Sequence, residues 1–284
     1  MSRFLLSFRK QGTGGIVTPS DLVELGILTK QISEFSNDDI GTEVSIPYSN
    51  EGSGISGPII FEVVGVNHHT TTEHPKTITL MTKNIIRKAA FDAAEPDNPD
   101  SMRKDNGNNR WSVSNIRQWL NSSGAAGKWF TAQHTYDAPP TTANVHGDET
   151  TDAAYADAPG FLAGFSANVL QHFTDITNIT ALYKVDNGGA DGGSEETVDK
   201  VFLPSSTEMG LENNSEGSHL SIRYPDNNSR IKQWNGSNDV YYTRSPYAFM
   251  KSSLVLCVYP NGESSLSHIM ASSGNGIAPI IVLH

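Results

Sequence analysis

A short amphipathic segment, residues 109–122, constrains the fold of this chain more than any other stretch. Within it Ile116, Trp119 and Leu120 recur at i, i+3 and i+4, a spacing that places them on one face of a helix. Trp111 adds a second indole to the segment, and each indole can bury on the order of 150–250 Å². We therefore predict that this helix lies at the centre of the hydrophobic core.

The sequence also marks the two ends of the predicted helix. Ser112 or Ser114 can accept a hydrogen bond from one of the backbone N–H groups that the first turn leaves free. Asn121 begins a polar, turn-forming run at 121–124. The helix is therefore expected to be short.

Composition predicts a loop-rich surface around a sizeable core. Of the 284 residues, 37% are hydrophobic and 18% are charged, and the charged share is below the usual quarter. Gly, Ser, Thr and Asn together make up roughly a third of the chain. A surface of hydroxyls and amides with long irregular connections is typical of exposed binding proteins.

Charge and hydropathy argue against several classes of protein. A net charge of −11 argues against a nucleic-acid partner, because phosphate binding needs clustered Lys and Arg. The apolar runs are all shorter than the roughly 18 residues of a membrane span, and residues 1–9 lack the cleavage site of a signal peptide. We therefore expect synthesis in a cytoplasm, no membrane insertion, and release by a route such as cell lysis.

The single cysteine excludes an intrachain disulfide and a multi-cysteine zinc site. Cys257 lies in an apolar run, 254–258, and is predicted to be buried and unreactive. His68, His69 and His74 share one predicted turn but lack a supporting pattern of acids, so a solvated loop is favoured over a metal site. We predict no cofactor and no resident metal.

The chain is predicted to divide into an N-terminal segment, 1–40, and a main domain, 41–284. The N-terminal segment begins with an apolar block, which is followed by a glycine-rich break and a short predicted helix with Leu22, Leu25 and Leu28 on one face. Two alternatives stay open for this segment, since it either folds onto its own domain or docks on a neighbouring subunit.

Several strands are predicted in the main domain from alternating or apolar runs. They are 41–47, 58–66, 77–82 as the antiparallel partner of 58–66, 201–203, and a C-terminal β meander of 239–246, 253–259 and 276–283 with an Asn-Gly turn at 261–262. Ser205 and Glu208 have the spacing of a capping box, in which each side chain bonds the backbone N–H of the other residue.

A second amphipathic helix is predicted to begin at 157–160, with an apolar face that belongs to the core. That face comprises Phe161, Leu162, Phe165, Val169 and Phe173. Residues 92–110 are interpreted as a polar surface loop, because the spacing of their acids does not fit a calcium loop. Residues 186–197 are interpreted as a flexible glycine-rich loop, because their acids would repel phosphate.

Four motifs in a fixed order resemble one known family. They are Trp-Ser-x-Ser-x-Ile-Arg-x-Trp-Leu-Asn at 111–121, Asp-Lys-Val-Phe-Leu-Pro-Ser-Ser at 199–206, Tyr-Thr-Arg-Ser-Pro at 242–246 and Gly-Ile-Ala-Pro-Ile at 276–280. Together they are similar to a domain of unknown function that is common in phages and prophages of Gram-positive gut bacteria and in surface proteins of those hosts. The resemblance runs from about residue 41 to the end. Ala278 stands where arginine is usual, so any pairing made by that arginine is absent here.

The resemblance implies an α+β domain that is distantly similar to the C-type-lectin-like fold. Such a domain has short helices on small antiparallel sheets with long loops, here preceded by an N-terminal arm. The resemblance also implies a virion component, and it identifies no catalytic residue.

The leading hypothesis is a phage structural protein of a tail, baseplate or fibre that exposes a domain for binding host-surface glycan. Residues 1–40 would bind other virion proteins or form a homo-oligomer, with a trimer favoured. Aromatic faces with neighbouring amides bind sugars well. The candidate contacts are Trp234, Asn235, Asp239, Tyr241 and Tyr242. An open alternative is that these aromatics only pack the core.

Two other classes of function stay in view. A capsid decoration protein would stabilise the particle and have no receptor. A glycan-active enzyme would need two carboxylates roughly 5–10 Å apart, and the sequence identifies no catalytic residue, so we expect no enzyme.

The remaining motif residues are expected to be structural. They are Trp111, Ile116, Arg117, Trp119, Leu120, Asn121, Phe202, Ser205 and Arg244. The two arginines are interpreted as buried or half-buried guanidinium groups that satisfy loop carbonyls and carboxylates through their five donors.

Overall fold

Two small sheets, of five and four strands, are the largest sheets in the computed structural model, which describes residues 21–146, 153–212, 215–247, 251–264 and 269–284. Two hairpins, four short α-helices and several 3-10 helices surround these sheets in the described part of the chain. The α+β class with short helices and small, mostly antiparallel sheets is confirmed.

The larger sheet is built from strands that are far apart in the sequence. It contains β1 (Glu43–Ile46), β2 (Ile59–Val66), β3 (Ile78–Thr82), β7 (Val201–Phe202) and β13 (Ile280–Leu283). The order is β1-β2-β3-β13-β7, and every neighbouring pair is antiparallel. The strands predicted over 41–82 and at 201–203 are therefore confirmed, including the pairing of β2 with β3.

The smaller sheet shows that the predicted C-terminal meander is wrong in its connections. The sheet contains β4 (Arg87–Ala89), β10 (Tyr241–Pro246), β11 (Val255–Val258) and β12 (Asn275–Ile277) in the order β11-β10-β12-β4. β10 pairs antiparallel with β11 but parallel with β12. Pro279 follows β12 and has no N–H to continue the ladder, and beyond it the chain enters the larger sheet as β13.

Two hairpins project from these sheets. One pairs β5 (Ile176–Ala181) with β6 (Ser194–Asp199), and the other pairs β8 (Lys232–Trp234) with β9 (Ser237–Asp239). The glycine-rich stretch predicted as a loop at 186–197 connects β5 to β6, but its last residues already belong to β6.

The helices of the described residues are all short. They are α1 (Ser101–Asn106), α2 (Asn115–Leu120), α3 (Ala167–Leu170) and α4 (Asn227–Arg230), with 3-10 helices at Ile32–Glu34, Asn37–Asp39, Trp111–Val113 and Phe161–Gly164. None of them is long and apolar enough to cross a membrane.

Helix α2 is the predicted central helix, and its position in the core is confirmed. Ser114 is the N-cap, and its hydroxyl oxygen accepts a hydrogen bond from the backbone N–H of Arg117 at 3.4 Å. Ile116, Trp119 and Leu120 are fully buried. The Trp119 indole N–H is satisfied as well, because it donates to a backbone carbonyl of the following loop, Pro159 O, at 2.8 Å.

The predicted second amphipathic helix is wrong as a continuous element. A 3-10 helix ends at Gly164, Phe165 is extended with φ −99° and ψ 144°, and α3 begins only at Ala167. The phenyl rings of Phe161 and Phe165 lie 5.4 and 5.0 Å from the ring of Tyr48. The backbone bends so that both rings pack on Tyr48, and the apolar face is buried without one helix.

The interpretation of residues 92–110 as a surface loop is also wrong. Asp92 is buried, and its carboxylate accepts hydrogen bonds from the backbone N–H groups of Asn108 and Asn115, both at 2.9 Å. Glu95 is buried in the same segment and bonds the side-chain amide of Asn108. The polar composition thus marks an internal hydrogen-bond network that surrounds the start of α2.

The described part of the N-terminal segment lies on the main domain. Leu22, Ile27 and Leu28 belong to the same hydrophobic core cluster as α2. Residues 22–26 form turns and not the predicted helix, and Gly26 ends them with φ +69°. Residues 1–20, with the apolar block, lie outside the described residues, and the domain boundary at residue 40 stays a prediction.

Gly107 supports the network around Asp92 and is the subject of a stability prediction. It has φ +75°, and a Cβ there would lie 2.5 Å from the Asp92 carbonyl oxygen. Gly188 has φ +64° and open space around it. We expect Gly107→Ala to lower the free energy of unfolding by about 1–3 kcal/mol more than Gly188→Ala. Chemical denaturation of both variants measures the difference, and equal losses would contradict it.

Candidate functional site

An open groove of about 490 Å³ lies between the β8–β9 hairpin and one face of the larger sheet. Its apolar wall is formed by isoleucines and one indole, and its rim is formed by amides and a charged pair. The lining residues are Glu43, Gly54, Ile55, Ser56, Pro58, Ile59, Ile60, Lys83, Asn84, Ile85, Ile86, Trp234 and Asn235. Polar and apolar side chains therefore line one depression that is open to solvent.

The β8–β9 hairpin places Trp234 in the groove. Its two-residue turn has Asn235 at φ 50° and Gly236 at φ 82°, which are the left-handed conformations that an Asn-Gly hairpin turn requires. Trp234 pairs with Ser237 across this turn. The Asn-Gly pair at 235–236 is a hairpin signal in the sequence, as is the pair at 261–262, so this turn is predictable from local chemistry.

Lys232 anchors the hairpin to the sheet. It lies two residues before Trp234 on the same strand, so both side chains point towards the domain. Lys232 is only 2% exposed, and its ammonium donates to the carbonyl oxygens of Thr82 at 2.5 Å and Lys83 at 3.2 Å. Burial lowers the pKa of Lys232 to about 7. The hairpin is therefore fixed by a buried amine beneath the groove.

The polar rim of the groove is electrically balanced. The Lys83 ammonium donates to the carboxylate of Glu43, and this hydrogen bond raises the pKa of Lys83. Asn84 accepts a hydrogen bond from the backbone N–H of Gln233 through its Oδ1, at 3.3 Å. Within the part of the chain that the structure describes, its Nδ2 has no hydrogen-bond partner and is available to a ligand.

The structure separates the five candidate sugar contacts. Trp234 is half-buried and Asn235 is exposed, and both line the groove. Asp239 lies outside it and pairs with Lys88 at 3.0 Å. Tyr241 and Tyr242 are fully buried in β10, so the proposed contact of their rings with a surface ligand is corrected to core packing.

Backbone carbonyls satisfy the hydroxyls of these two tyrosines inside the protein. The Tyr241 hydroxyl donates to Arg230 O at 2.7 Å, and the Tyr242 hydroxyl lies 2.8 Å from Met270 O. Burial raises the pKa of both phenols well above the usual value. The two rings therefore fix β10 in the core.

The motif residues around α2 converge on one buried carboxylate, Asp199. It accepts hydrogen bonds from the Trp111 indole N–H at 3.2 Å and from Arg117 Nε at 2.7 Å. Asn178 and Thr197 of the β5–β6 hairpin donate to the same carboxylate at 3.2 and 2.7 Å. Trp111 and Arg117 therefore both bind this carboxylate inside the domain.

Asn121 completes the junction between α2 and β7. Its Oδ1 accepts from the backbone N–H groups of Lys200 and Val201, and its Nδ2 donates to Val201 O at 2.8 Å. β7 pairs with β13 along one edge. Along its other edge, the Asn121 amide makes hydrogen bonds of the kind that a neighbouring strand would make.

Arg244 forms a second buried junction. Its guanidinium binds the Glu208 carboxylate through two hydrogen bonds, at 2.7 and 3.2 Å, and also donates to Leu203 O at 2.9 Å. It lies 5.6 Å from the centre of the Phe202 ring. Glu208 also completes the predicted capping box with Ser205, although this box closes a turn and not a helix.

The turn that carries the three histidines is an exposed to half-buried loop, as predicted, although the histidine rings have partners in the domain. His68 and His69 are half-buried, and His69 lies between Glu208 Oε1 at 3.0 Å and Thr79 Oγ1 at 3.1 Å. His74 stacks on His284 with ring centres 3.6 Å apart. Among the described residues no three His, Cys, Asp or Glu side chains are grouped so that they could hold a metal ion.

Two buried or half-buried groups in this region have shifted pKa values. Burial alone would favour neutral Glu208, but Arg244 and His69 hold the pKa of that carboxyl well below its usual range. Burial, helped by the neighbouring His69, lowers the pKa of His68 to about 4. Burial also raises the pKa of the Cys257 thiol, which agrees with its prediction as a buried cysteine.

The fold and the groove define an α+β domain with an internal polar framework and one mixed-polarity surface depression. The chain belongs to the family described as Domain of unknown function (DUF6273), which matches residues 76–284. The match begins later than the resemblance predicted from residue 41, so β1 and β2 precede it. No curated protein and no solved structure matches the chain.

The Arg244–Glu208 pair is expected to control stability. Arg244→Ala leaves a buried carboxylate without its cation, which typically costs about 3–5 kcal/mol. The Lys30–Asp39 pair is partly exposed at 2.6 Å, so Lys30→Ala serves as the control and should lower the stability far less, because solvent screens such a pair. Thermal and urea unfolding measure both variants, and an unchanged melting temperature in Arg244→Ala would contradict the assignment.

Because the pKa of His68 is lowered in the folded protein, we expect the protein to lose stability in mild acid. The folded chain takes up this proton near pH 4, whereas the unfolded chain takes it up near the ordinary value of about 6.5. Unfolding therefore binds a proton in this window, and the free energy of unfolding falls as the pH drops from about 6.5 to 4. Urea titrations should show a shallower fall in His68→Gln, and equal slopes would show that His68 does not contribute.

Proposed function

We propose that this protein is a phage virion component of a tail, baseplate or fibre whose domain binds glycan on the host surface through the groove beside Trp234. The observation that carries the proposal is the groove itself, which combines an indole, isoleucine side chains and free amide groups. Sugars have apolar faces and a rim of hydroxyls, so they match a site with both kinds of surface.

The charges in the groove favour binding over hydrolysis. Glycoside hydrolysis uses two carboxylates, one of which acts as an acid and the other as a base or nucleophile. The groove is lined by one carboxylate, Glu43, and this group is paired with Lys83. A single carboxylate cannot supply both roles at one sugar.

The remaining parts of the proposal follow from the resemblance to phage proteins. The N-terminal segment, 1–40, attaches the domain to other virion proteins or joins copies of the chain into a trimer, while its Leu22, Ile27 and Leu28 anchor it in the domain's own core. The protein leaves the bacterial cytoplasm by lysis. The domain is C-type-lectin-like, and this is supported by its short helices, small sheets and long connections.

Trp234 provides the direct test of glycan binding. Trp234→Ala removes the indole from the groove and should reduce binding of the purified protein to host cells about fivefold or more, since stacking on a sugar contributes on the order of 1 kcal/mol or more. Tyr136 is an exposed aromatic residue outside the groove, so Tyr136→Ala is the matched control and should bind normally.

Two results would count against this function. The glycan proposal fails if the wild-type protein binds neither host cells nor their purified wall glycans. Electron microscopy of the intact particle tests the virion assignment separately, because a capsid position would favour a decoration protein.

A further inference from the structure

The chemistry of the groove suggests which sugars it selects. We infer that the groove binds neutral glycans that carry N-acetylated hexosamine units, with the acetamido group against the isoleucine wall. This inference rests on the proposed glycan-binding function and specifies the ligand of the same site.

The apolar wall supplies the first part of the argument. Ile60 is 36% exposed although it lies on β2, and Ile55 and Ile86 are half-buried beside it. A glycan built only of hydroxylated hexoses can place its C–H face on this wall, but it has no methyl group to fill it. An acetamido methyl fills such a wall and gains the free energy of burying apolar surface.

Free polar groups supply the second part. An acetamido group has one N–H donor and one carbonyl acceptor, so a matching site needs an acceptor and a donor close to the apolar wall. The Nδ2 of Asn84 is a donor without a partner among the described residues, and Asn235 adds an exposed amide that can serve in either role. Both lie in the groove with Ile60.

The balanced charge of the rim supplies the third part. Lys83 and Glu43 neutralise each other across the groove. An anionic sugar would compete with Glu43 for the ammonium, and a cationic amino sugar would compete with Lys83 for the carboxylate. A neutral sugar leaves the pair intact, so the groove disfavours both uronic acids and free amino sugars.

Two trisaccharides of equal backbone test the inference by calorimetry. The trimer of β-1,4-linked N-acetylglucosamine carries the acetamido groups, and the trimer of β-1,4-linked glucose has hydroxyls in their place. We expect the N-acetylated trimer to bind about tenfold more tightly, which is the size expected for one buried methyl and one added hydrogen bond. The deacetylated, cationic trimer should bind no better than the glucose trimer.

A pair of isoleucine variants connects this preference to the wall. Ile60→Thr keeps the branched shape but replaces a methyl-bearing arm with a hydroxyl, and it should reduce the preference to about twofold or less without weakening binding of the glucose trimer. Ile222 is exposed elsewhere on the surface, at 56%, so Ile222→Thr should leave the preference unchanged. Unfolding curves show whether both variants are folded.

The outcomes separate this inference from the proposed function. Equal binding of the two neutral trimers, lost in Trp234→Ala, would overturn the acetamido preference and leave glycan binding intact. If the protein binds host cells through Trp234 but binds neither trimer, the acetamido preference is again overturned and the proposed glycan binding is kept. Failure to bind trimers, cells and wall glycans alike would overturn both proposals.

Discussion

Most of the architecture depends on the hydrogen bonds that the buried carboxylate of Asp199 accepts. It accepts hydrogen bonds from Trp111 and Arg117 at one end of the central helix and from Asn178 and Thr197 in the β5–β6 hairpin. A carboxylate without these donors would be far too costly to bury. The same four contacts therefore offset the cost of burying it and join the region of the central helix to the β5–β6 hairpin, which is distant in sequence.

The buried ion pairs and hydrogen bonds of the core come from one part of the sequence, whereas the groove combines residues from two parts. Asp199, Glu208 and Arg244 all lie inside the region that matches the family, and their contacts are internal. The groove, by contrast, combines Trp234 and Lys83 from that region with β1, β2 and their connecting loop, which precede it. The family match therefore covers these framework residues in full but only part of the groove.

Sequence patterns predicted the elements that local chemistry determines. The helix around Trp119 and the strands β2 and β3 follow from spacing and from apolar runs, and the capping bonds of Ser205 and Glu208 follow from one short motif. The burial of residues 92–110 could not be read in this way, because polar side chains that bond buried backbone groups have the same composition as a solvated loop. The parallel pairing of β10 with β12 joins residues that are distant in sequence, so no local signal specifies it. The groove was only partly predicted, since Trp234 and Asn235 were identified but the isoleucine wall was not.

The position of β3 inside the larger sheet determines how this protein can be divided. β3 pairs with β2 on one side and with β13 on the other. A fragment cut to the family-matched residues, 76–284, would lack β1 and β2 and would present a bare strand edge with Leu80 and Met81 beside it. Bare edges recruit strands from other molecules. The matched region by itself therefore omits two of the five strands of the larger sheet and leaves one edge of β3 without its partner.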